Sequence, residues 1–203
     1  MLCVERFIMG NMASNCYIIY NDSQAVIIDP GSSDGAICDF INRHNLQIKG
    51  IILTHGHFDH FGGVEFIKNH FNCDVYIHKN DVKLLTDCSL NLSASFGGDI
   101  CYDGVVAIGD CKMSLIDNDF EFISTPGHSP GSMCVKVGNY LFTGDTLFKG
   151  SIGRAFSPYG DTDLEIASIK QKLFTLQDDV VCYPGHGSQS TISYEKRFNP
   201  YLK

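Results

Sequence analysis

Three histidines and an aspartate stand within six residues in the segment THGHFDH, directly after the apolar run GIIL. Side chains two residues apart on a strand share a face, so His55 and His57 are placed to bind one ion together. The turn that follows directs Asp59 and His60 toward a second ion. Imidazole with carboxylate is a ligand mixture that suits zinc, iron or manganese. The segment therefore predicts a metal centre and not a chance cluster of surface histidines.

Three single residues extend this predicted ligand set. His128 lies in TPGHSPGS, Asp145 in TGDT and His186 in YPGHG. Each alone is a weak signal, because a lone histidine at a strand end is more often a hydrogen-bonded structural group. Together with the upstream cluster they indicate ligands. The adjacent glycines fit this interpretation, since a ligand loop brings its backbone close to the ion and often needs a positive φ.

The elements that position these residues share one pattern, in which an apolar strand runs into a small-residue loop carrying histidine or aspartate. The pattern occurs in AVIIDPG, GIILTHGH, EFISTPGH, YLFTGD and VVCYPGH. Strand ends that share one edge of a sheet bring such loops together, and α/β proteins bind their ligands there. Asp29, in the first of these loops, has two interpretations. It is either a group that braces the ligand loops or a turn-capping aspartate before Pro30.

Hydrophobic spacing predicts strands and helices in mixed order within one domain, residues 1–203, since no linker divides the chain. Strands are expected in VERFIM, NCYIIY, QAVIID, GIILT, DVYIH, GVVAIG, KMSLID, FEFIST, SMCVKVG, YLFTGD and DVVCYP. Helices are expected over residues 33–45, with Ser32 or Ser33 as N-cap, and over residues 61–71, 80–86, 164–176 and 188–197. Residues 87–104 show no period, and this loop is expected to be either a lid over the metals or an ordinary surface loop.

The composition narrows the class of protein. The chain has 203 residues, 44% of them hydrophobic, which indicates a globular fold. A net charge of −8 argues against nucleic-acid binding, which needs lysine and arginine to neutralise phosphates. No apolar run approaches the roughly 20 residues of a membrane helix. Nine cysteines occur without a C-x-x-C pair, so we expect buried, reduced thiols in a cytoplasmic protein.

The motifs THGHFDH, PGHSPGS, GDTLF and PGHG, in this order, resemble those of the metallo-β-lactamase superfamily. Within it, GDTLFKGSIGR and the terminal YEKRFNPYL are similar to short, single-domain glyoxalase II-like hydrolases. The resemblance implies an α/β (α+β) fold, a four-layer αββα sandwich with metals at one sheet edge. It also implies two metal sites bridged by Asp145. The first would be formed by His55, His57 and His128, and the second by Asp59, His60 and His186.

The chemistry that the resemblance implies is hydrolysis of a small acyl thioester of the S-lactoylglutathione type. Two divalent ions, zinc or alternatively iron or manganese, would lower the pKa of a bridging water, and the hydroxide would attack the carbonyl carbon. Asp59 and Asp145 are the expected catalytic carboxylates. Three alternatives stay open: an iron persulfide dioxygenase with a single metal, a hydrolase of another ester or lactone, and a binding protein with a vestigial site.

Substrate contacts are predicted on weaker grounds. The resemblance makes Arg154 an anchor for a substrate carboxylate, with a structural salt bridge as the alternative. The stretch AFSPYGD departs from the D-F-P-x-G-D form of the short family, and Tyr159 is expected to supply the missing contact. Phe96, with Leu92, is expected to cover the metals if the long loop is a lid. The expected partner is a small molecule, with neither nucleic acid nor membrane, and no oligomeric state is predicted.

Overall fold

Two six-stranded sheets form the centre of the structure, a computed structural model that describes residues 1–203. In the first sheet the strands lie in chain order. The first three pair antiparallel, and the remaining pairs are parallel. The strands are β1 (Cys3–Met9), β2 (Ser14–Tyr20), β3 (Gln24–Ile28), β4 (Gln47–Leu53), β5 (Val75–His78) and β6 (Val106–Ile108).

The second sheet has the order β14-β13-β10-β9-β8-β7. Its first four strands along the chain form an antiparallel meander, and β13 then returns parallel to β10. A separate short hairpin of β11 and β12 lies between β10 and β13 in sequence. The strands are β7 (Cys111–Leu115), β8 (Asn118–Ser124), β9 (Met133–Val137), β10 (Tyr140–Gly144), β11 (Leu147–Phe148), β12 (Ser151–Ile152), β13 (Val181–Pro184) and β14 (Ser190–Thr191).

Six α-helices accompany the sheets; α2 is not among the predicted helices, and the other five are shorter than the sequence predicts. They are α1 (Gly35–Arg43), α2 (Phe58–Phe61), α3 (Val64–His70), α4 (Val82–Leu85), α5 (Thr162–Ser168) and α6 (Ile192–Phe198). The predicted N-cap of α1 at Ser32 or Ser33 is wrong, because the Asp34 side chain accepts the hydrogen bond from the Ala36 N–H at 2.9 Å. The helix therefore begins two residues later than expected.

The other helix boundaries differ for local reasons. The predicted helix 61–71 begins only at Val64, as α3, and the short α2 lies before it. Between the two, Gly63 packs on the preceding loop, where an added Cβ would lie 2.3 Å from the Ser32 carbonyl oxygen. Predicted helix 80–86 opens as a 3₁₀ turn, and α5 continues as a π-helical turn over Ile169–Leu173. The last helix starts late because β14 pairs with β13 over the residues before it.

Three apolar clusters define four layers in the order helix, sheet, sheet, helix. Between the sheets lie Tyr17 and Ile28 from the first sheet, with Phe120 and Phe142 from the second. The outer face of the first sheet packs against α1 and α3, and that of the second against the α5 region and α6. Alternation along the strands produces this arrangement, because residues of opposite parity face opposite layers. The predicted αββα sandwich is confirmed.

One edge of the sandwich gathers the loops that follow the apolar strands. Here the two sheets are joined by backbone hydrogen bonds, from Met133 N to Thr54 O at 2.9 Å and from Asn15 N to Gly185 O at 2.6 Å. Gly185 N also donates to Gly144 O at 2.7 Å. Gly144 has a φ of +48°, and a Cβ there would lie 2.3 Å from the Thr54 hydroxyl oxygen. Only a glycine lets the two sheets approach this closely at the edge.

The cysteines only partly match the expectation of buried thiols. Cys16, Cys38, Cys73, Cys134 and Cys182 are buried and free. Cys3, Cys88 and Cys111 are partly exposed, and Cys101 is exposed on the long loop after α4. No helix in the chain combines the length and the apolar character that crossing a bilayer requires.

The inter-sheet cluster gives a test of the packing. Phe142 is 1% exposed, and its ring stacks on Tyr183 at a centroid distance of 5.0 Å. Phe142→Ala should lower the free energy of unfolding by about 3–5 kcal/mol because it leaves a cavity between the sheets. Phe198→Ala, at a position that is 53% exposed, should change it by less than about 0.5 kcal/mol. Urea denaturation measures both, and equal losses would contradict this packing.

Candidate metal centre

Seven histidine and aspartate side chains meet at the edge where the strand-end loops gather. The loop after β4 and the short helix α2 supply four of them, and the loops after β8, β10 and β13 supply one each. They are His55, His57, Asp59, His60, His128, Asp145 and His186. The structure thus brings together every residue that the sequence predicts as a ligand.

The first cluster consists of three buried imidazoles. His55 Nε2 lies 3.1 Å from His57 Nδ1, His128 Nε2 lies 3.2 Å from His55 Nε2, and His128 Nε2 lies 2.9 Å from His57 Nδ1. Two nitrogens that are each about 2.0–2.1 Å from a tetrahedral zinc ion are separated by about 3.3 Å. Three nitrogens at nearly this spacing, all facing one point, fit the ligand set of one divalent ion.

The second cluster lies beside the first. Asp59 Oδ2 is 3.5 Å from His60 Nε2 and 3.3 Å from His186 Nε2. His60 is fully buried, and its Nε2 has no hydrogen-bond partner. An unpaired polar atom in the interior is costly, and a cation at this point would satisfy it.

Asp145 faces both clusters with one carboxylate. Its Oδ1 lies 3.4 Å from His60 Nε2, and its Oδ2 lies 3.7 Å from His128 Nε2 and 3.6 Å from His186 Nε2. Oδ1 is buried and receives no hydrogen bond. A carboxylate in this position has the geometry to bridge two ions, and the unpaired Oδ1 fits a positive charge between the clusters.

The electrostatics of the two clusters differ. Burial lowers the pKa of His55, His57 and His128, so these imidazoles are neutral at neutral pH and present lone pairs. Burial also lowers the pKa of His60, but the charges of Asp59 and Asp145 outweigh this effect and raise that pKa to about 10. Without metal, a proton on His60 therefore offsets part of the carboxylate charge, and a bound cation would replace it.

Asp29 holds the histidines of both clusters through a hydrogen-bond network. Its Oδ2 accepts from His60 Nδ1 at 2.9 Å and from the Thr54 hydroxyl at 2.6 Å, and its Oδ1 accepts from Thr54 N at 2.8 Å. The Thr54 hydroxyl in turn lies 3.1 Å from His55 Nδ1. Because both Nδ1 atoms are engaged, both Nε2 atoms are left free for an ion. Of the two interpretations of Asp29, these contacts fit the one in which it braces the ligand loops.

Tyr159, which the sequence predicts as a substrate contact, is placed by the structure behind a ligand. Its hydroxyl is 2.8 Å from His57 Nε2 and donates to the Leu90 carbonyl oxygen. The hydroxyl proton is thereby used, so His57 Nε2–H is the donor and His57 Nδ1 faces the ion. The single hydroxyl proton is occupied in this arrangement, so Tyr159 has no donor left to offer a substrate.

Asp81 is a bracing residue that the sequence analysis missed. It is fully buried, and its Oδ2 accepts from Gly56 N at 2.9 Å and from the Ser129 hydroxyl at 2.6 Å. Its Oδ1 accepts from Gly131 N. Burial raises the pKa of Asp81 to about 6, and these three donors partly offset that rise. The carboxylate fixes the loop between His55 and His57 to the loop after His128. No motif marks Asp81, since it lies in a polar turn far from the ligands in sequence.

A cavity of about 240 Å³ opens over the two clusters. Its walls are mainly apolar, and its lining includes Met12, Phe58, Leu92, Phe96, Phe148 and Phe156. Arg154 is the only arginine in the cavity lining, which contains no lysine. The Arg154 guanidinium lies 5.2 Å from the Phe156 ring centroid. The Arg154 backbone carbonyl accepts from His128 Nδ1 at 2.9 Å. The loop after β12 therefore braces the ligand His128 through a backbone carbonyl and also places the positive charge of Arg154 at the cavity.

The long loop 87–104 contributes directly to this cavity. It contains one 3₁₀ turn, Ser93–Phe96, and two of its residues, Asn91 and Ser93, are buried. Phe96 is 59% exposed and packs on Phe58 at a centroid distance of 5.3 Å. The structure places Phe96 and Leu92 at the wall of the cavity over the two clusters, so this part of the segment helps to form the cavity.

A sandwich of four layers with paired histidine and aspartate clusters at one edge defines a metallo-hydrolase, and the comparisons agree. The family description "Metallo-beta-lactamase superfamily" matches residues 9–186. The hydroxyacylglutathione hydrolase GloC of Haemophilus influenzae is 36% identical, over 93% of this chain and 92% of GloC. The chain belongs to the metallo-β-lactamase superfamily.

Solved structures show the same similarity. BLEG-1 B3 metallo-beta-lactamase has 35% identity and a TM-score of 0.92, covering 99% of this chain and 100% of that chain. TTHA1623, solved in a di-iron-bound form, has 31% identity and a TM-score of 0.86, covering 98% and 100%. Family and clusters together imply divalent metal ions at this site.

Removal of the Asp29 carboxylate tests the brace. Asp29→Ala should weaken metal binding by about 10- to 100-fold, because His60 and Thr54 lose their common acceptor. Competition with a chromophoric chelator measures the affinity. Asp34→Ala, which removes the α1 N-cap carboxylate, should cost about 1 kcal/mol of stability and leave metal affinity unchanged. Equal metal affinities in the two variants would refute the bracing role.

Tyr159→Phe separates the observed role from the predicted one. The ring remains, but His57 Nε2–H loses its acceptor, so metal affinity should fall about tenfold. Tyr194→Phe, on the surface of α6, is the matched control and should bind metal like the unaltered protein. A higher KM with unaltered metal affinity would instead support the substrate contact predicted from sequence. The same chelator competition, combined with KM measurements, decides between them.

Proposed function

We propose that this protein hydrolyses a small acyl thioester of the hydroxyacylglutathione type, using two divalent metal ions. The observation that carries the proposal is the position of Asp145, whose one carboxylate lies 3.4 Å from His60 Nε2 and 3.7 Å from His128 Nε2. A single carboxylate in reach of both clusters suits a two-ion centre better than a one-ion centre. The similarity to GloC supports the substrate class.

The ligand residues would hold the ions in two groups. His55, His57 and His128 would bind one, Asp59, His60 and His186 the other, and Asp145 both. When bound, such ions supply Lewis acidity, which acidifies water and polarises a carbonyl oxygen. We propose zinc as the native metal, with iron as the alternative, because TTHA1623 was solved in a di-iron-bound form. Manganese suits the same donors.

The protein's own groups support attack by water without a covalent intermediate. The cavity lining contains neither serine nor cysteine. Burial raises the pKa of Asp59, but His60 and His186 outweigh this effect and hold that pKa below its ordinary value. Asp59 therefore stays ionised at neutral pH and can accept a hydrogen bond from the attacking water, which orients it.

The cavity supports an anionic substrate with an apolar portion. Arg154 offers a positive charge at the rim, where a carboxylate of a glutathione moiety would bind. Phe58, Phe96, Phe148 and Phe156 offer apolar surface for the acyl portion. We place the activity in the cytoplasm, where thiols are kept reduced, with neither a nucleic acid nor a membrane as partner.

The test is hydrolysis by protein loaded with zinc, iron or manganese, using S-lactoylglutathione, an acyl-CoA, an aryl ester, a lactone and a β-lactam. The β-lactam is included because BLEG-1 is a B3 metallo-beta-lactamase. We expect the highest kcat/KM for the glutathione thioester. His57→Ala and Asp145→Ala should each lower kcat at least about 100-fold. Arg154→Met should raise KM about tenfold for the anionic thioester and leave the uncharged aryl ester unaffected.

His70→Ala is the matched control, since this histidine lies exposed on α3 away from the cavity. It should retain full activity. Oxygen consumption with glutathione persulfide is measured in parallel. One ion per chain with oxygen uptake would favour the dioxygenase, and no hydrolysis of any substrate by the fully loaded protein would overturn the proposal.

A further inference from the structure

Two thiols on the long loop lie unusually close together. Cys88 Sγ and Cys101 Sγ are 2.7 Å apart. A disulfide bond is about 2.05 Å long, so the two sulfur atoms need to approach by only about 0.65 Å to form one. No other pair of cysteine sulfurs in the chain lies within hydrogen-bond distance. Cys101 is exposed and Cys88 is half-buried, so a small reagent can reach them.

Side-chain hydrogen bonds to the backbone of Ile100 already hold the two ends of this segment together. Asn91 Nδ2 donates to the Ile100 carbonyl oxygen at 2.8 Å, and Ile100 N lies 3.3 Å from the Ser93 hydroxyl. Cys88 Sγ lies 3.8 Å from the same Ile100 carbonyl oxygen. These contacts hold residues 88–93 against Ile100, the neighbour of Cys101, and so keep the two sulfur atoms close together.

The segment between the two cysteines forms part of the metal cavity. Leu92 and Phe96 lie at its wall. The Leu90 carbonyl accepts from the Tyr159 hydroxyl, which holds His57, and the Asn91 carbonyl accepts from Phe58 N at 3.1 Å. A covalent link at the base of this loop would restrain the cavity wall. It would also restrain the Leu90 carbonyl, which holds Tyr159 against His57.

We propose that Cys88 and Cys101 form a reversible disulfide that restrains the cavity wall. The oxidant is a small-molecule disulfide such as glutathione disulfide. One protein thiolate attacks it, forms a mixed disulfide and releases one small thiol; the second protein thiolate then attacks and releases the other. The two protein thiols are oxidised, the small disulfide is reduced to two thiols, and the protons leave on those thiols.

The other cysteines provide a contrast. Burial raises the pKa of Cys134 to about 12 and also raises that of Cys16 and Cys182, which keeps these thiols protonated and inert. The hydrogen bond with Cys88 is the main cause that raises the pKa of Cys101 to about 11. Because the thiolate is the attacking species, the exchange is slow at neutral pH, and the experiment allows hours for it.

The test equilibrates the full chain with excess glutathione disulfide, then blocks free thiols and determines the mass. We expect a loss of about 2 Da and of two alkylated thiols. Trypsin leaves residues 84–112 in one piece, with Cys88, Cys101 and Cys111. Chymotrypsin after Phe96 and Tyr102 separates the three cysteines, so a link between the first two fragments identifies the bond. The oxidised form should melt about 5–10 °C higher.

Cys88→Ser and Cys101→Ser should each form no internal bond and show no rise in Tm on oxidation, whereas Cys111→Ser should behave like the unaltered protein. Dithiothreitol should restore the reduced mass. A link involving Cys111 would overturn the proposal. So would glutathione retained on Cys101 without an internal bond. None of these readouts depends on turnover, so the result stands apart from the proposed hydrolysis.

Discussion

The edge of the sandwich that carries the metal centre buries polar groups that have too few hydrogen-bond partners in the protein. The order of this edge depends on that constraint. His60 Nε2 and Asp145 Oδ1 are buried and unpaired, and His55, His57 and His128 turn their nitrogens toward one point. Each unpaired buried polar group costs about 1–3 kcal/mol. Cations between the clusters offset this cost, which makes metal binding and the order of this edge one property of the fold.

The groups that hold the ligands come from elements far apart in the chain. Asp29 follows β3, Asp81 follows β5, and Tyr159 lies beyond β12, yet each ends in a hydrogen bond to a ligand or to a ligand loop. Each imidazole of the first cluster has its second nitrogen occupied, so its orientation is fixed before an ion binds. The two sheets must therefore pack in a single register for the centre to exist, and the glycine at position 144 permits that close approach.

Local patterns predict the parts of this structure that are local. The ligand residues were found because each stands in a small-residue loop directly after an apolar strand, and the αββα fold followed from the family resemblance of those loops. Helix boundaries were less accurate, since contacts such as Gly63 on Ser32 decide them. The contact of Tyr159 with His57 is not predictable from sequence, because it spans 102 residues and no spacing rule reports it. Asp81 and the pair of thiols were missed for the same reason.

The central claim is that two cations bind at this edge with Asp145 between them. Anomalous diffraction from crystals grown with zinc, collected on both sides of the zinc absorption edge, tests it directly. We expect two peaks, one among His55, His57 and His128 and one beside His60 and His186, both in contact with the Asp145 carboxylate. A single peak, or zinc bound elsewhere while these side chains keep their positions, would contradict the two-ion centre.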